Sequence, residues 1–140
     1  MIRSTYDWTT LVDTSAVIAL FDASDQFHNA ARTFFDAQVS VQWVALNATS
    51  HETFTRTRYS AGFAAAAQRY DFVRSLALLN FTSDDETEAR RILEKYRDQA
   101  LSFHDSLCAA VMKRQGIYKV FTFDKDFWVL GFEVVPGATQ

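Results

Sequence analysis

The chain has 140 residues, a formal net charge of −3, 49% hydrophobic residues and a single cysteine. This length predicts one domain over residues 1–140, and the apolar fraction suffices for a core. One cysteine excludes an internal disulfide and a thiolate zinc site, which favours a reducing compartment. The N-terminus lacks a secretory pattern, and no apolar run approaches the ~20 residues of a membrane span. We therefore expect a cytoplasmic protein without membrane contact.

Predicted strands and helices alternate along the chain. In order they are a strand at 8–13, helices at 16–21 and 25–37, a strand at 40–46, helices from 47 or 49 to about 59 and at 63–76, a strand at 77–82, helices at 83–98 and 102–116, a strand at 118–123, a helical turn at 124–130 and a strand at 132–135. The period of the apolar residues and the capping residues support these bounds. The alternation predicts an α/β fold with three α/β/α layers around a central parallel sheet of four to five strands.

Two acids follow predicted strands at one edge of this sheet. Asp13 ends the first strand and Asp124 ends the fourth. In open parallel sheets, ligands bind beyond the carboxyl ends of the strands, where the strand order reverses. Either residue is explained as well by capping the helical turn that follows it. Sequence position alone leaves both interpretations open.

Asp105 and Glu52 each have a structural explanation beside a functional one. Asp105 is the third position of a capping box begun by Ser102, and it opens a helix whose segment 106–112 carries no charge. A carboxylate in such an apolar setting needs a partner, which capping or a metal ion supplies. Glu52 fits a capping box with Thr49 and an ion pair with Arg56 one helical turn later.

The remaining polar residues have simpler interpretations. A helix is predicted to start at Ser83 with a capping box to Glu86, and its first acids are assigned to a solvated face: Asp84, Asp85, Glu86 and Glu88. His51 and His104 each directly precede a candidate acid, which could place them near the site as phosphate contacts or supporting groups. A partly exposed helical histidine is the favoured interpretation of both. Cys108 is expected to be inert packing.

Taken together, the four acids and their surroundings resemble the PIN-domain family over nearly the whole chain. The family opens with a strand ending in Asp followed by Thr or Ser, as in Leu-Val-Asp13-Thr-Ser. A Glu on the helix after the second strand corresponds to Ser50-His-Glu52. A later helix that begins with Asp corresponds to Asp105-Ser-Leu-Cys-Ala-Ala, and the closing strand runs into Thr122-Phe-Asp124. One departure is His104, at a position where small or β-branched residues are common.

The resemblance implies a metal-dependent endoribonuclease of the kind found as VapC-type toxins in toxin–antitoxin pairs. It implies an RNA substrate, a small antitoxin partner and a homodimer. Asp13, Asp105 and Asp124 would hold Mg²⁺ or Mn²⁺, and Glu52 would complete the catalytic set. Residues expected to support this set or to contact substrate are Thr14, Ser15, Thr122, Asp126 and Arg56. Such a cluster of carboxylates needs a cation, since like charges raise each other's pKa, and hard divalent ions take oxygen ligands.

Other functions remain possible on the sequence. A catalytically degenerate PIN module would bind RNA or a protein without cleavage, although retention of four acids argues against it. A receiver domain or an aspartate phosphatase would carry a second acid close to the first strand. Here Ser15 stands two positions after Asp13, which disfavours the phosphatase.

Overall fold

The fold is organised by one parallel sheet. The computed structural model describes residues 8–137. The strands are β1 (Thr9–Val12), β2 (Gln42–Leu46), β3 (Ala77–Leu79), β4 (Lys119–Phe121) and β5 (Glu133–Val135). They pair in parallel in the order β3-β2-β1-β4-β5. The strand order reverses between β1 and β4.

Seven helices lie between and beside these strands within the described residues. They are α1 (Thr14–Phe21), α2 (His28–Ala37), α3 (Asn47–Ala61), α4 (Phe63–Arg74), α5 (Ser83–Lys95), α6 (Phe103–Gln115) and α7 (Asp126–Val129). Within residues 8–137, no helix is both long enough and apolar enough to cross a membrane. The predicted α/β fold with a central parallel sheet is confirmed. That residues 1–140 form a single domain stays a prediction.

Successive strand residues point to opposite sides of the sheet, so apolar side chains emerge on both faces. Helices cover and bury both faces. Leu11 packs with α5 and α6, whereas its neighbour Val12 packs with α1, α2 and α4. Val120 and Phe121 divide in the same way. These four side chains are fully buried. Burial of each large apolar side chain contributes about 1.5–3 kcal/mol, so these residues of β1 and β4 stabilise the packing on both faces of the sheet.

Aromatic rings of α2 belong to this core. Phe34 and Phe35 lie beside Phe121 of β4, with ring centroids 5.2 and 6.2 Å apart, and both also contact Trp43 of β2. Helix α2 thus packs these aromatic side chains against the sheet.

Two helix starts differ from the sequence prediction. Thr82, not Ser83, caps α5, and its capping box closes through Asp85, because Thr82 is the last residue with extended backbone. The predicted box from Thr49 to Glu52 is wrong, since α3 already begins at Asn47 and Thr49 lies inside it. The hydroxyl of Thr49 is thereby free for a tertiary contact.

Asp85 was predicted to lie on a solvated face, and this is also wrong. Its side chain is only 4% exposed and pairs with Arg114 of α6, whose Nε and Nη2 atoms donate to the carboxylate over 2.9 and 2.8 Å. These hydrogen bonds hold the pKa of Asp85 below its ordinary value despite the opposing effect of burial. The Asp85–Arg114 ion pair connects the last turn of α6 with the first turn of α5.

Candidate metal centre

The strand order brings two of the predicted acids together. Asp13 directly follows β1 and Asp124 follows β4 after two residues, so both lie at the carboxyl edge where the strand order reverses. Open α/β sheets bind ligands at this point. Asp105 reaches the same place from the first turn of α6.

Asp13 is held by hydroxyl groups on one side only. Its Oδ2 atom accepts hydrogen bonds from Ser15 Oγ at 3.0 Å and from Thr122 Oγ1 at 2.9 Å. Its Oδ1 atom is buried and has no hydrogen-bond partner among residues 8–137. Burial raises the pKa of Asp13, an effect opposed by His104 and by the two hydroxyls. The Oδ1 atom of this carboxylate is therefore held in a fixed orientation and shielded from water, and no group within residues 8–137 donates a hydrogen bond to it.

The predicted cap and the predicted ligand position coincide at Asp13. The residue is the N-cap of α1 and accepts a hydrogen bond from the Ser15 amide at 3.4 Å. Thr14 is buried, but its hydroxyl has no hydrogen-bond partner within residues 8–137 and therefore does not donate to Asp13. The geometry thus supports Ser15 and Thr122, more than Thr14, as the residues that orient this carboxylate.

Asp105 also combines a cap with a place in the acidic cluster. It closes the capping box of α6 with Ser102, and it is 9% exposed. Burial raises its pKa to about 7, and the negative charges of Asp13 and Asp124 add to the rise. A carboxyl group in this state ionises fully near neutral pH only when a positive charge lies beside it.

Asp124 and Asp126 form the outer part of the cluster. The Asp126 amide donates to Asp124 Oδ1 at 2.9 Å, and the Asp124 amide donates to Thr122 Oγ1 at 3.0 Å. Burial raises the pKa of Asp126, and the neighbouring Asp124 raises it further. Asp126 therefore lies beside Asp124, and both belong to one group of potential ligands.

Glu52 lies next to the cluster, but His104 stands between it and the other acids. Glu52 Oε1 is 3.4 Å from Nδ1 of His104, whereas its separation from Arg56 is 3.9 Å. The Arg56 side chain is 57% exposed, so this ion pair contributes little. Of the four predicted catalytic acids, Glu52 is the one that no group of candidate metal ligands within the described residues includes.

His104 is the residue that the sequence interpretation missed. Its side chain is 9% exposed rather than partly solvated, and Nε2 lies 2.8 Å from the hydroxyl of Thr49. Its position immediately before Asp105 was the available signal. What the sequence does not give is the rotation of α6 against α3, which turns this ring toward the acids.

The side chains fit a divalent cation. Two groups of potential ligands share Asp105, and in each the ligand atoms lie within 4.8 Å of one another: Asp13, His104 and Asp105 in the first, and Asp105, Asp124 and Asp126 in the second. Ligands on opposite sides of a Mg²⁺ ion are about 4.2 Å apart, so small adjustments suffice. The Oδ1 atom of Asp13, which has no hydrogen-bond partner within the described residues, is the ligand atom that such an ion would contact.

A separate cleft lies on α3 and α4. It has a volume of about 320 Å³ and is lined by His51, Phe54, Thr55 and Tyr70. None of the clustered acids lines it, although His51 directly precedes Glu52 on α3. His51 is exposed, as predicted, and its ring stacks on Tyr70 with centroids 6.4 Å apart. The chemistry of the acids therefore belongs to the sheet edge and not to this cleft.

Comparison with known proteins agrees with the sheet order and the acidic cluster. Residues 10–133 match the PIN domain family, and the chain belongs to that family. Nucleases of the family generally require a divalent metal ion, which the acidic cluster fits. The chain is 35% identical over 130 residues to the 23S rRNA-specific endonuclease VapC20 of Mycobacterium tuberculosis, an alignment that covers 89% of this chain and 97% of that protein.

Solved structures show the same fold. The crystal structure of Mycobacterium tuberculosis VapC20, described as a sarcin-ricin loop cleaving toxin, has a TM-score of 0.82 and 30% identity over 88% of this chain and 95% of that one. A toxin–antitoxin complex from Klebsiella pneumoniae has a TM-score of 0.65 at 16% identity, with coverage of 90% and 95%. The latter likeness concerns the fold alone. The resemblance inferred from the four acidic motifs is confirmed.

Proposed function

We propose that this protein is a divalent-metal-dependent endoribonuclease and the toxin of a type II toxin–antitoxin pair. The observation that carries the proposal is the buried, unpartnered Oδ1 of Asp13 beside Asp105, at the reversal point of a PIN-family sheet. The similarity to VapC20 supports RNA as the substrate and 23S rRNA as the first one to test. We propose a cytoplasmic location, where RNA is available as a substrate.

The metal would be Mg²⁺ or Mn²⁺, held by Asp13, Asp105 and Asp124. When bound, such an ion neutralises the carboxylates, polarises a phosphodiester and lowers the pKa of a water molecule. Ser15 and Thr122 hold Oδ2 of Asp13, so that Oδ1 is the free ligand atom.

Glu52 and two exposed cations would act on water and substrate. The Glu52 side chain is 28% exposed, and its oxygens are available to position the attacking water. Arg56 and Lys125 are exposed beside the acids and can bind RNA phosphates. These cations matter because a chain with a net charge of −3 does not attract RNA through its overall charge.

Cleavage of 23S rRNA and of ribosomes by the purified protein tests the proposal. We expect cuts in the presence of Mg²⁺ or Mn²⁺ that EDTA abolishes. Asp13→Asn should lower the cleavage rate at least 100-fold while circular dichroism shows an intact fold. Asp71→Asn, at an exposed aspartate of α4, is the matched control and should leave the rate unchanged. Full activity in folded Asp13→Asn protein would refute the metal centre, and RNA binding without cleavage would favour a degenerate binding module.

The proposed partners are a small antitoxin and a second copy of the chain. Tyr59 and Phe63, at the junction of α3 and α4, are 90% and 62% exposed, which is apolar surface available for association. Light scattering should give twice the mass of one chain, and Phe63→Ser should shift the mass toward one chain. A single-chain mass for the wild type at micromolar concentration would contradict the dimer. Co-purification with the product of a small adjacent reading frame tests the antitoxin.

A further inference from the structure

The imidazole of His104 is buried among acidic side chains, and none of the roles described so far involves it. Its Nδ1 atom has no hydrogen-bond partner among residues 8–137, although Glu52 Oε1 lies 3.4 Å away and Asp105 Oδ1 lies 4.0 Å away. Both neighbouring atoms are carboxyl oxygens. A buried nitrogen lone pair facing carboxylates is unfavourable unless a proton or a metal ion lies between them.

The contact made by the other ring nitrogen determines which way Nδ1 points. Nε2 lies 2.8 Å from the hydroxyl of Thr49, a fully buried residue of α3. When Nε2 carries the proton and donates it to Thr49, Nδ1 is left with its lone pair directed at the acids. Histidines that bind metals use this arrangement, in which the second ring nitrogen donates to an oxygen and fixes the tautomer.

We propose that Nδ1 of His104 is a nitrogen ligand of the metal centre, in a subsite completed by Asp13 and Asp105. The inference rests on the metal-dependent function proposed above, and it adds a ligand that the four-carboxylate interpretation lacks. The three ligand atoms lie within 4.8 Å of one another. The second subsite, made by Asp105, Asp124 and Asp126, contains oxygen ligands only.

A nitrogen ligand changes which ions the centre prefers. Mg²⁺ favours oxygen ligands, whereas imidazole suits transition metals, and Mn²⁺ also accepts carboxylates. The subsite with His104 therefore selects Mn²⁺ over Mg²⁺, and the all-oxygen subsite accepts either. The affinity ratio of the two ions is the property that His104 sets.

The experiment measures Mn²⁺ and Mg²⁺ affinity of the full chain by calorimetry, with His104→Gln as the variant. A glutamine amide can keep the contact with Thr49, but it has no metal-binding nitrogen at the position of Nδ1. We expect the Mn²⁺ affinity to fall at least as much as the roughly 10- to 100-fold loss typical of outer-shell partners, with a smaller change for Mg²⁺. His51→Gln, the same change at an exposed histidine of α3, is the matched control and should leave both affinities unchanged.

Electron spin-echo spectroscopy of Mn²⁺ bound to the wild-type protein gives a second readout that does not depend on the variant folding. We expect a ¹⁴N coupling from a directly bound imidazole, and this signal should vanish in His104→Gln. Bound Mn²⁺ without that coupling would overturn the assignment of His104 and leave Mg²⁺-dependent RNA cleavage intact. A wild-type protein that binds neither ion would overturn the ligand assignment together with the proposed function.

Discussion

Asp105→Asn should stabilise the protein without metal at pH 8 and remove its metal affinity at the same time. The carboxyl of Asp105 is buried beside Asp13 and Asp124, which raises its pKa to about 7. Asparagine has the same shape as aspartate. Its side-chain oxygen can still accept the hydrogen bond that the Ser102 amide donates to Asp105. Asparagine carries no charge, so the repulsion among the acids is reduced.

The sign and size follow from the two pKa values. A group whose pKa is raised on folding contributes its full stability below the unfolded value, and that contribution is lost as pH rises through the folded value. For Asp105, with an ordinary pKa of 3.8 and a folded pKa of about 7, the loss is about 4 kcal/mol at pH 8. Roughly 2–3 kcal/mol of it arises between pH 5 and pH 8.

Urea unfolding in EDTA at pH 5 and pH 8 measures the effect. The advantage of Asp105→Asn over the wild type should grow by roughly 2–3 kcal/mol between these pH values. Asp98→Asn, at an exposed position, should show no such growth. Saturating Mn²⁺ should stabilise the wild type by about 3 kcal/mol at 100 times the dissociation constant and should leave Asp105→Asn unchanged. An advantage that is equal at both pH values would refute the burial of a charged cluster.

Two further substitutions test contacts around the centre. Arg114→Leu should lower the free energy of unfolding at pH 7 by about 1–3 kcal/mol, because it leaves the buried carboxylate of Asp85 unpaired. Since pairing lowers the pKa of Asp85, urea unfolding should show this loss shrinking as pH falls toward 3, and a loss independent of pH would contradict the pairing. Thr122→Val should lower Mn²⁺ affinity about 10- to 100-fold in calorimetry, because Asp13 loses a donor that orients it; an unchanged affinity would exclude that role.

The sequence predicted the elements that depend on local pattern. Apolar runs located β1 and β4, and the acids that follow them were placed correctly at the sheet edge because parallel strands share a direction. Asp105 was interpreted as a cap or a metal ligand before the uncharged segment 106–112, and the structure shows a carboxylate that closes the capping box and also lies in the acidic cluster. Here local signals and tertiary position agree.

What the sequence missed depends on how helices rotate against each other. Asp85 was grouped with solvated acids because its neighbours in the chain are charged, while its partner Arg114 lies on another helix 29 positions later. His104 was expected to be partly exposed, and Thr49, which contacts it, is 55 positions away. Period and composition carry no information about such pairs.

The strand order also determines when, during synthesis, the centre can exist. β1 leaves the ribosome before its neighbour β4, and one of the two hydroxyls that bind Asp13 belongs to a residue 109 positions further along the chain. At about 5–20 residues per second, roughly 5–20 s separate the two. Until β4 and Asp124 have emerged, Asp13 lacks its neighbouring strand on that side of the sheet, and the acidic cluster lacks one of its proposed ligands. A protein assembled in this order acquires its proposed metal centre only after β4 and the residues that follow it have been synthesised.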